Sequence, residues 1–411
     1  MKITHVITRL VVGGAQENTL ATVAALRQKP GVTVHLISGP TRGAEGSLEA
    51  EARRLFPPTA TNRSAGAQPG QFILLPQLVR PVHPLLDFLA LRRLEKILRA
   101  QQPDIVHTHS GKAGILGRLA ARRAGVPVII HTIHGPSFGR FQNAVANALF
   151  LAAEKIAARA TTHFIVVAEA MKTQYLAAGI GRPEQYTKIF SGFALEPFLA
   201  AVNDEKLRKK LGLAPDDFVV GKIARLFKLK GHDDLFAAAP LILRQNPKIK
   251  FLLVGDGPWR ERFEKLAGAQ GWCNHFVFTG LVPPGEIPPY LGLMDALVHL
   301  SRREGLPRAL PQALAAGKPV VAYDCDGAGE VCLEGQTGFL VRPGDWTALA
   351  EKILRLAADA DLRRRLGASG RQFVRNHFAV ENMTEAIYNL YLKLAAAGAA
   401  PALARSPGPA G

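Results

Sequence analysis

The stretch Glu304-Gly305-Leu306-Pro307 joins an acidic side chain to a glycine turn and a proline placed to start a helix. Gly317 then stops that helix ahead of the apolar run Pro319-Val320-Val321. A carboxylate at such a turn can accept hydrogen bonds from sugar hydroxyls, and the N–H groups of a helix start suit a diphosphate. Gln312, two turns on, is polar in an otherwise apolar segment. Arg225 and Lys230 stand on another strand-to-helix turn, which ends at Gly231-His232. Two cations on one turn can converge on a diphosphate leaving group, where charge builds as a glycosidic bond breaks.

The N-terminal half carries a second set. Gly13-Gly14 follows a strand and precedes a helix, so the backbone can approach a phosphate or sugar closely. The third glycine of a dinucleotide fingerprint is missing. His107-Thr108-His109 and His131-Thr132-Ile133-His134-Gly135-Pro136 end two strands, the edge that faces the ligand crevice of an open α/β sheet. No carboxylate or cysteine stands at ligand spacing beside these histidines, so no metal is expected there. A contact with a sugar hydroxyl is the reading preferred for His134. Gly13, His109 and Lys112 are candidates for the acceptor side. Val254-Gly255-Asp256-Gly257-Pro258 and Gly280 read as plain turns.

Such side chains need a scaffold, and the hydrophobic pattern supplies one. Short β-branched runs at 32–37, 104–107, 126–130, 163–167 and 186–190 alternate with helical patterns at 85–100 and 113–124. The alternation restarts at 218–223 and recurs at 249–254, 275–278, 296–298 and 319–322. This is the grammar of two doubly wound parallel sheets. The expected plan is a first Rossmann-like domain at 1–190, a hinge at 191–203 and a second domain at 204–378. A helix at 379–396 and a disordered tail at 398–411 complete it. The long loop Pro57 to Gly70 is expected to be functional or disordered.

With 411 residues, 48% of them hydrophobic, the chain suits two domains rather than one core. Cys273, Cys325 and Cys332 form no framework and read as free thiols. Met1 to Thr8 reads as a strand, and the richest apolar run, Ala144 to Leu151, is stopped by Glu154 and Lys155. A cytoplasmic protein, peripheral at most to the inner face of the membrane, is therefore expected. Residues 1–150 hold 18 Lys/Arg against 7 Asp/Glu, a large share of the formal net charge of +18. That balance points to an anionic partner, either phosphate-bearing substrates or an anionic membrane surface. Nucleic acid is not expected, because no binding motif accompanies the charge.

These residues resemble glycosyltransferase family 4, from Met1 to about Leu394. The resemblance implies an α/β chain of GT-B fold, with two Rossmann-like domains facing across a cleft and a C-terminal helix crossing back to the first. Glu304 and Gln312 fall on the two positions of the family's Glu-x7-Glu signature, with glutamine in place of the second glutamate. By resemblance, Glu304 contacts donor-sugar hydroxyls and Gln312 the ribose. Arg225 and Lys230 match the diphosphate-binding pair, Gly14 the glycine-rich first loop, and His134 the histidine beside the transferred sugar. Gly305, Leu306 and Pro307 complete the donor turn. Ala168 and Ala194 stand where relatives often carry Ser and Asp. Asp324-Cys325-Asp326 resembles the metal-binding Asp-x-Asp of another glycosyltransferase fold, but its position suits a loop near the donor. Leu78 to Pro84 and His107 to Gly114 are similar to members that build capsular polysaccharide or exopolysaccharide.

The implied activity is retaining transfer of a hexose-type sugar from a UDP- or GDP-sugar to a glycan or lipid-linked acceptor. The implied mechanism needs no cofactor, no metal and no catalytic carboxylate pair. Two other readings are an epimerase or hydrolase, marked by rapid turnover of donor alone, and a non-catalytic nucleotide-sugar-binding partner, which would bind donor without transfer.

Overall fold

The structure, a computed structural model, describes residues 1–41, 46–57, 70–139 and 141–399. Most of the loop from Pro57 to Gly70 and nearly all of the tail fall outside them. Packing divides the chain into two units, Met1–Gly192 with the segment from Val380, and Phe193–Ala379.

The first unit is built on seven parallel strands: β1 (Lys2–Arg9), β2 (Thr33–Gly39), β3 (Phe72–Leu74), β4 (Ile105–His109), β5 (Val128–Ile133), β6 (His163–Val166) and β7 (Tyr186–Lys188). Their order is β3-β2-β1-β4-β5-β6-β7. The winding reverses beside β1, which pairs with β2 on one side and β4 on the other. Side chains alternate across β1. Ile3 and Ile7 join one core with Leu20, Val23, Met383, Ile387 and Tyr391, under the helices Gly14–Leu26 and Val380–Ala399. Val6 joins the other, with Leu94, Leu98 and Ala120, under the helices Pro84–Gln101 and Gly111–Arg123. Both faces of the sheet are covered, as is usual for a parallel sheet.

Glu154, which interrupts the longest apolar run, lies inside the helix Ala144–Ala158. Its Oε2 meets Nη2 of Arg118 at 2.6 Å, with both side chains fully buried. Ser137 donates to the other oxygen at 2.9 Å. Desolvating both charges is tolerable only because each is paired and further hydrogen-bonded.

The second unit has six parallel strands: β8 (Phe218–Ile223), β9 (Ile249–Val254), β10 (Phe276–Gly280), β11 (Ala296–His299), β12 (Val320–Tyr323) and β13 (Gly338–Val341). The order is β10-β9-β8-β11-β12-β13, so the winding reverses between β8 and β11. Leu235, Phe236, Ile242, Phe251, Phe263 and Ile353 are among the residues that fill its core. Among the described residues, no helix is long and apolar enough to cross a membrane.

Candidate active site

In an open α/β sheet, ligands bind beyond the carboxyl ends of the strands where the winding reverses. In the second unit that place lies after β8 and β11, and the loops there carry Lys230 and Glu304. The Nζ of Lys230 and Oε1 of Glu304 form an ion pair across 74 residues of sequence. Both side chains keep 26% of their surface, enough to reach a ligand.

Hydrogen bonds tie these loops to each other and to the loop after β12. Arg302 donates its N–H to the carbonyl of Leu229 at 2.8 Å, and the N–H of Glu304 donates to Oδ2 of Asp326 at 2.7 Å. Arg302 also pairs with both carboxylate oxygens of Asp234, at 2.8 and 2.9 Å. Leu229 has φ 73° and Asp326 φ 50°, left-handed conformations that cost non-glycine residues energy and recur at functional loops. Gly231, with φ 67°, could not carry a side chain: a Cβ there would lie 2.1 Å from the carbonyl oxygen of Leu300. Gly255 and Gly257 owe their identity to the same loop. A Cβ on either would meet the carbonyl of Ala224 or Leu226 at 2.3 or 2.4 Å.

Burial pushes the Glu304 carboxyl upward, but Lys230 and then His299 more than offset it, so its pKa falls below the ordinary carboxylate value. Beneath the pair, Lys222 on β8 is 1% exposed, and burial with repulsion from Lys230 pushes its amine down to about 7. His299, at the end of β11, is pushed down to about 3, chiefly by burial. Two buried bases of lowered proton affinity thus adjoin the charged pair.

Arg225 stands exposed on the loop after β8, its guanidinium 4.8 Å from the Phe227 ring centroid. Gly305, Leu306 and Pro307 are buried. The helix begins at Ala309 rather than at Pro307, and the Pro307 carbonyl accepts from the N–H of Leu310 at 3.2 Å. Helix limits shift by a residue or two because a first turn is closed by bonds from outside it. Gln312 is the one residue of the helix Ala309–Ala315 that is not buried.

In the first unit, Gly13 is extended and Gly14 opens the helix Gly14–Leu26, which has no side-chain cap. The N–H groups of Gln16 and Glu17 turn back to the Gly13 carbonyl at 3.1 and 3.0 Å. After β4, Ser110 takes φ 61° and ψ 164°, a region normally left to glycine, and turns the chain into the helix Gly111–Arg123. Lys112, in that helix, has its Nζ 2.5 Å from Oδ1 of Asp87 and also donates to the carbonyl of Pro81.

His109 is 1% exposed, with Nε2 3.0 Å from Nδ1 of His5 and Nδ1 3.1 Å from Nε2 of His134. Burial therefore sets His109 behind His134 rather than on an acceptor surface. His134 is half-buried at the end of β5.

Asp326 does lie in a loop beside Glu304, as its position after β12 suggests, whereas Asp234, Lys222 and His5 are site neighbours that the sequence does not mark. Aspartate at 326 suits the left-handed conformation of that tight loop.

Two family models match the chain: Glycosyltransferase Family 4 over residues 12–191 and Glycosyl transferases group 1 over residues 203–373. The chain is 30% identical to the Escherichia coli UDP-Gal:alpha-D-GlcNAc-diphosphoundecaprenol alpha-1,3-galactosyltransferase, over 78% of its own length and 83% of the relative's. This chain belongs to glycosyltransferase family 4. The Staphylococcus aureus capsular polysaccharide biosynthesis glycosyltransferase CapM is 27% identical over 75% of this chain and 82% of its own. Among solved structures, Anabaena HepE in complex with UDP superposes with a TM-score of 0.76 at 23% identity, covering 96% of this chain and all of that one. A glycosyltransferase from Rickettsia africae gives 0.77 at 21%, covering 96% of this chain and 98% of that one. The fold of this glycosyltransferase is thus GT-B, and the enzyme is a hexosyltransferase of the kind found in polysaccharide synthesis. These relatives are transferases, so the epimerase, hydrolase and non-catalytic readings are not favoured.

Proposed function

We propose that this glycosyltransferase moves a hexose from a UDP- or GDP-sugar, with retention, to a glycan or lipid-linked acceptor at an anionic membrane surface. The observation that carries the donor reading is the Lys230–Glu304 pair at the winding reversal of the second unit. A sugar diphosphate offers each member of the pair a partner: phosphate oxygens for Lys230, hydroxyl donors for Glu304. Arg225 adds a second cation, Gly305 to Pro307 form the turn, and Gln312 takes the ribose. His134 lies beside the transferred sugar, and Gly14 belongs to the loop next to it. Gly13 and Lys112 belong to the acceptor side.

In the reaction the bond from the sugar C1 to the leaving diphosphate breaks. The acceptor oxygen bonds C1 on the same face, and its proton passes to the leaving phosphate. Lys230 and Arg225 stabilise the charge that builds on that phosphate. No metal, cofactor or second carboxylate takes part.

Lipid-linked acceptors fit the E. coli relative, which is named for a diphosphoundecaprenol substrate. A surface for the membrane is available on the first unit. Val82, Leu85 and Phe88 are exposed by 58 to 69%, beside the exposed Arg80, Arg92 and Arg93. Apolar residues with basic neighbours suit an anionic lipid surface.

Thermal shifts with UDP and GDP identify the base first. Transfer from the matching sugar nucleotides to undecaprenyl-linked acceptors is then followed by NMR of the new anomeric centre. An α-linked product supports the proposal; a β-linked product, or no transfer from any donor, overturns it.

A further inference from the structure

Lys222 is the last residue but one of β8, and it is 1% exposed in an otherwise apolar strand. It stands opposite Leu253 of β9 and two residues after Val220, which belongs to the core under the helix His232–Gln245. Residues two apart on a strand share a face. Lys222 therefore lies on that face, one step nearer the edge where the donor loops begin.

A lysine is seldom buried this deeply without a carboxylate of its own. Two carboxylates act on Lys222 through space, Asp234 in the first turn of that helix and Glu304 after β11. Each is already committed to another cation. Arg302 binds both oxygens of Asp234, at 2.9 and 2.8 Å, and Lys230 binds Glu304. The other neighbours are bases. His232, the first residue of the helix, is 1% exposed, and neither ring nitrogen has a hydrogen-bond partner among the described residues. His299 Nε2 has none either, and lies 3.9 Å from Oε1 of Glu304. The fixed charges around Lys222 thus cancel, Lys230 and Arg302 against Glu304 and Asp234. An ammonium there would be an unbalanced buried charge.

The titration of the cluster follows from that balance. Burial and then repulsion from Lys230 outweigh the attraction of Asp234 and Glu304, and push the Lys222 amine down to about 7. Burial pushes His232 down to about 2 and His299 to about 3. Burial and then Asp234 hold the phenol of Tyr323, at the end of β12, above its ordinary value. Among these described groups, Lys222 is the one that changes charge near neutrality.

A diphosphate upsets the balance. When Lys230 turns to phosphate oxygens, negative charge arrives close to Lys222, and Glu304 exchanges its ammonium partner for sugar hydroxyls. Both changes favour a cation at Lys222, where little water is present to screen them.

We propose that Lys222 is the buried counter-charge of the donor site: its amine takes one proton from solvent as a diphosphate engages Lys230, and becomes the cation that balances Glu304. Lys222 is a positioning residue, acting through Glu304 rather than on the sugar. The inference rests on the donor reading of the Lys230–Glu304 pair. Above pH 7 the free protein holds Lys222 neutral and the complex holds it charged, so binding consumes a proton and weakens as pH rises. Below pH 7 Lys222 is charged in both states and the dependence fades.

Calorimetric titration of full-length protein with UDP, or with GDP where UDP does not bind, tests this at pH 8.0. Heats in buffers of low and high ionisation enthalpy give the protons taken up per nucleotide bound. Wild type should take up about one, and its affinity should fall about five- to tenfold between pH 7.5 and 8.5. Lys222→Met keeps the length of the side chain in an apolar surrounding and cannot titrate. It should bind with little proton uptake and lose most of that slope; Lys222→Gln is the second variant should the first not fold. Wild-type binding without proton uptake overturns the inference and leaves the donor reading standing, with no variant needed. So does a Lys222 variant that takes up as many protons as wild type. Undiminished binding by Lys230→Ala, or binding of neither nucleotide, overturns the donor reading and the inference with it.

Discussion

Lys230 and Glu304 come from loops 74 residues apart and meet as an ion pair at the reversal of the second sheet. The pair is not the only tie between the loops, because the Arg302 N–H bonds the Leu229 carbonyl and the Arg302 guanidinium pairs with Asp234. Function and fold can therefore be separated at this pair by substitution.

Lys230→Ala should cut kcat/KM by about 100-fold or more, the usual loss when one donor to a developing oxyanion is removed. Arg225→Ala should also slow transfer strongly. Circular-dichroism melting should place both variants within a few degrees of wild type. Unchanged turnover in both would remove the diphosphate assignment.

Gly231→Ala should behave in the opposite way. Its Cβ would collide with the carbonyl of Leu300 at a φ of 67°, so folding suffers before chemistry does. A loss of more than about 2 kcal/mol in urea unfolding is expected, combining left-handed strain with the steric clash. A wild-type unfolding midpoint would show that the loop can relax without cost.

Acid should weaken the protein early. His5 and His299 are pushed down to about 3 by burial, and His107 and His109 are also held neutral. The unfolded chain takes up protons near pH 6.5 and the native one does not, so unfolding becomes more favourable as pH falls. Stability should be full above about 6.5 and decline toward about 3, by up to about 1.4 kcal/mol per pH unit for each histidine. Urea midpoints at pH 7.5 and 5.5 measure it, in a window above the carboxylates. Equal midpoints would mean that these rings protonate inside the fold.

Binding to anionic vesicles should depend on the start of the helix Pro84–Gln101. Leu85→Ser with Phe88→Ser should release the protein from phosphatidylglycerol liposomes at low salt, leaving turnover on a soluble acceptor intact. Co-sedimentation equal to wild type would move the docking face elsewhere.

The residues of the Lys230–Glu304 pair were legible by type and by place on strand-to-helix turns, but their pairing was not. It depends on β8 and β11 lying side by side, which strand order decides and local pattern does not. The runs that became β8 and β9 are plain because strands buried on both faces are near-continuously apolar. β3 and β13 escaped notice, being three and four residues long and near glycine. His5 is the clearest case of an illegible residue. Its partners His109 and Tyr391 lie 104 and 386 residues away, and one histidine in an apolar strand carries no local sign of either.

The helix Val380–Ala399 has a consequence for the order of assembly during translation. Its Met383, Ile387 and Tyr391 complete the core of the first unit, yet they leave the ribosome after every residue of the second. Domains are generally taken to fold in the order in which they are made. Here the sheet synthesised first must wait with part of one face uncovered, where only the helix Gly14–Leu26 is in place, until the later unit has been made. The hydrogen bond between the Tyr391 hydroxyl and the buried His107 forms only when that last helix, Val380–Ala399, arrives.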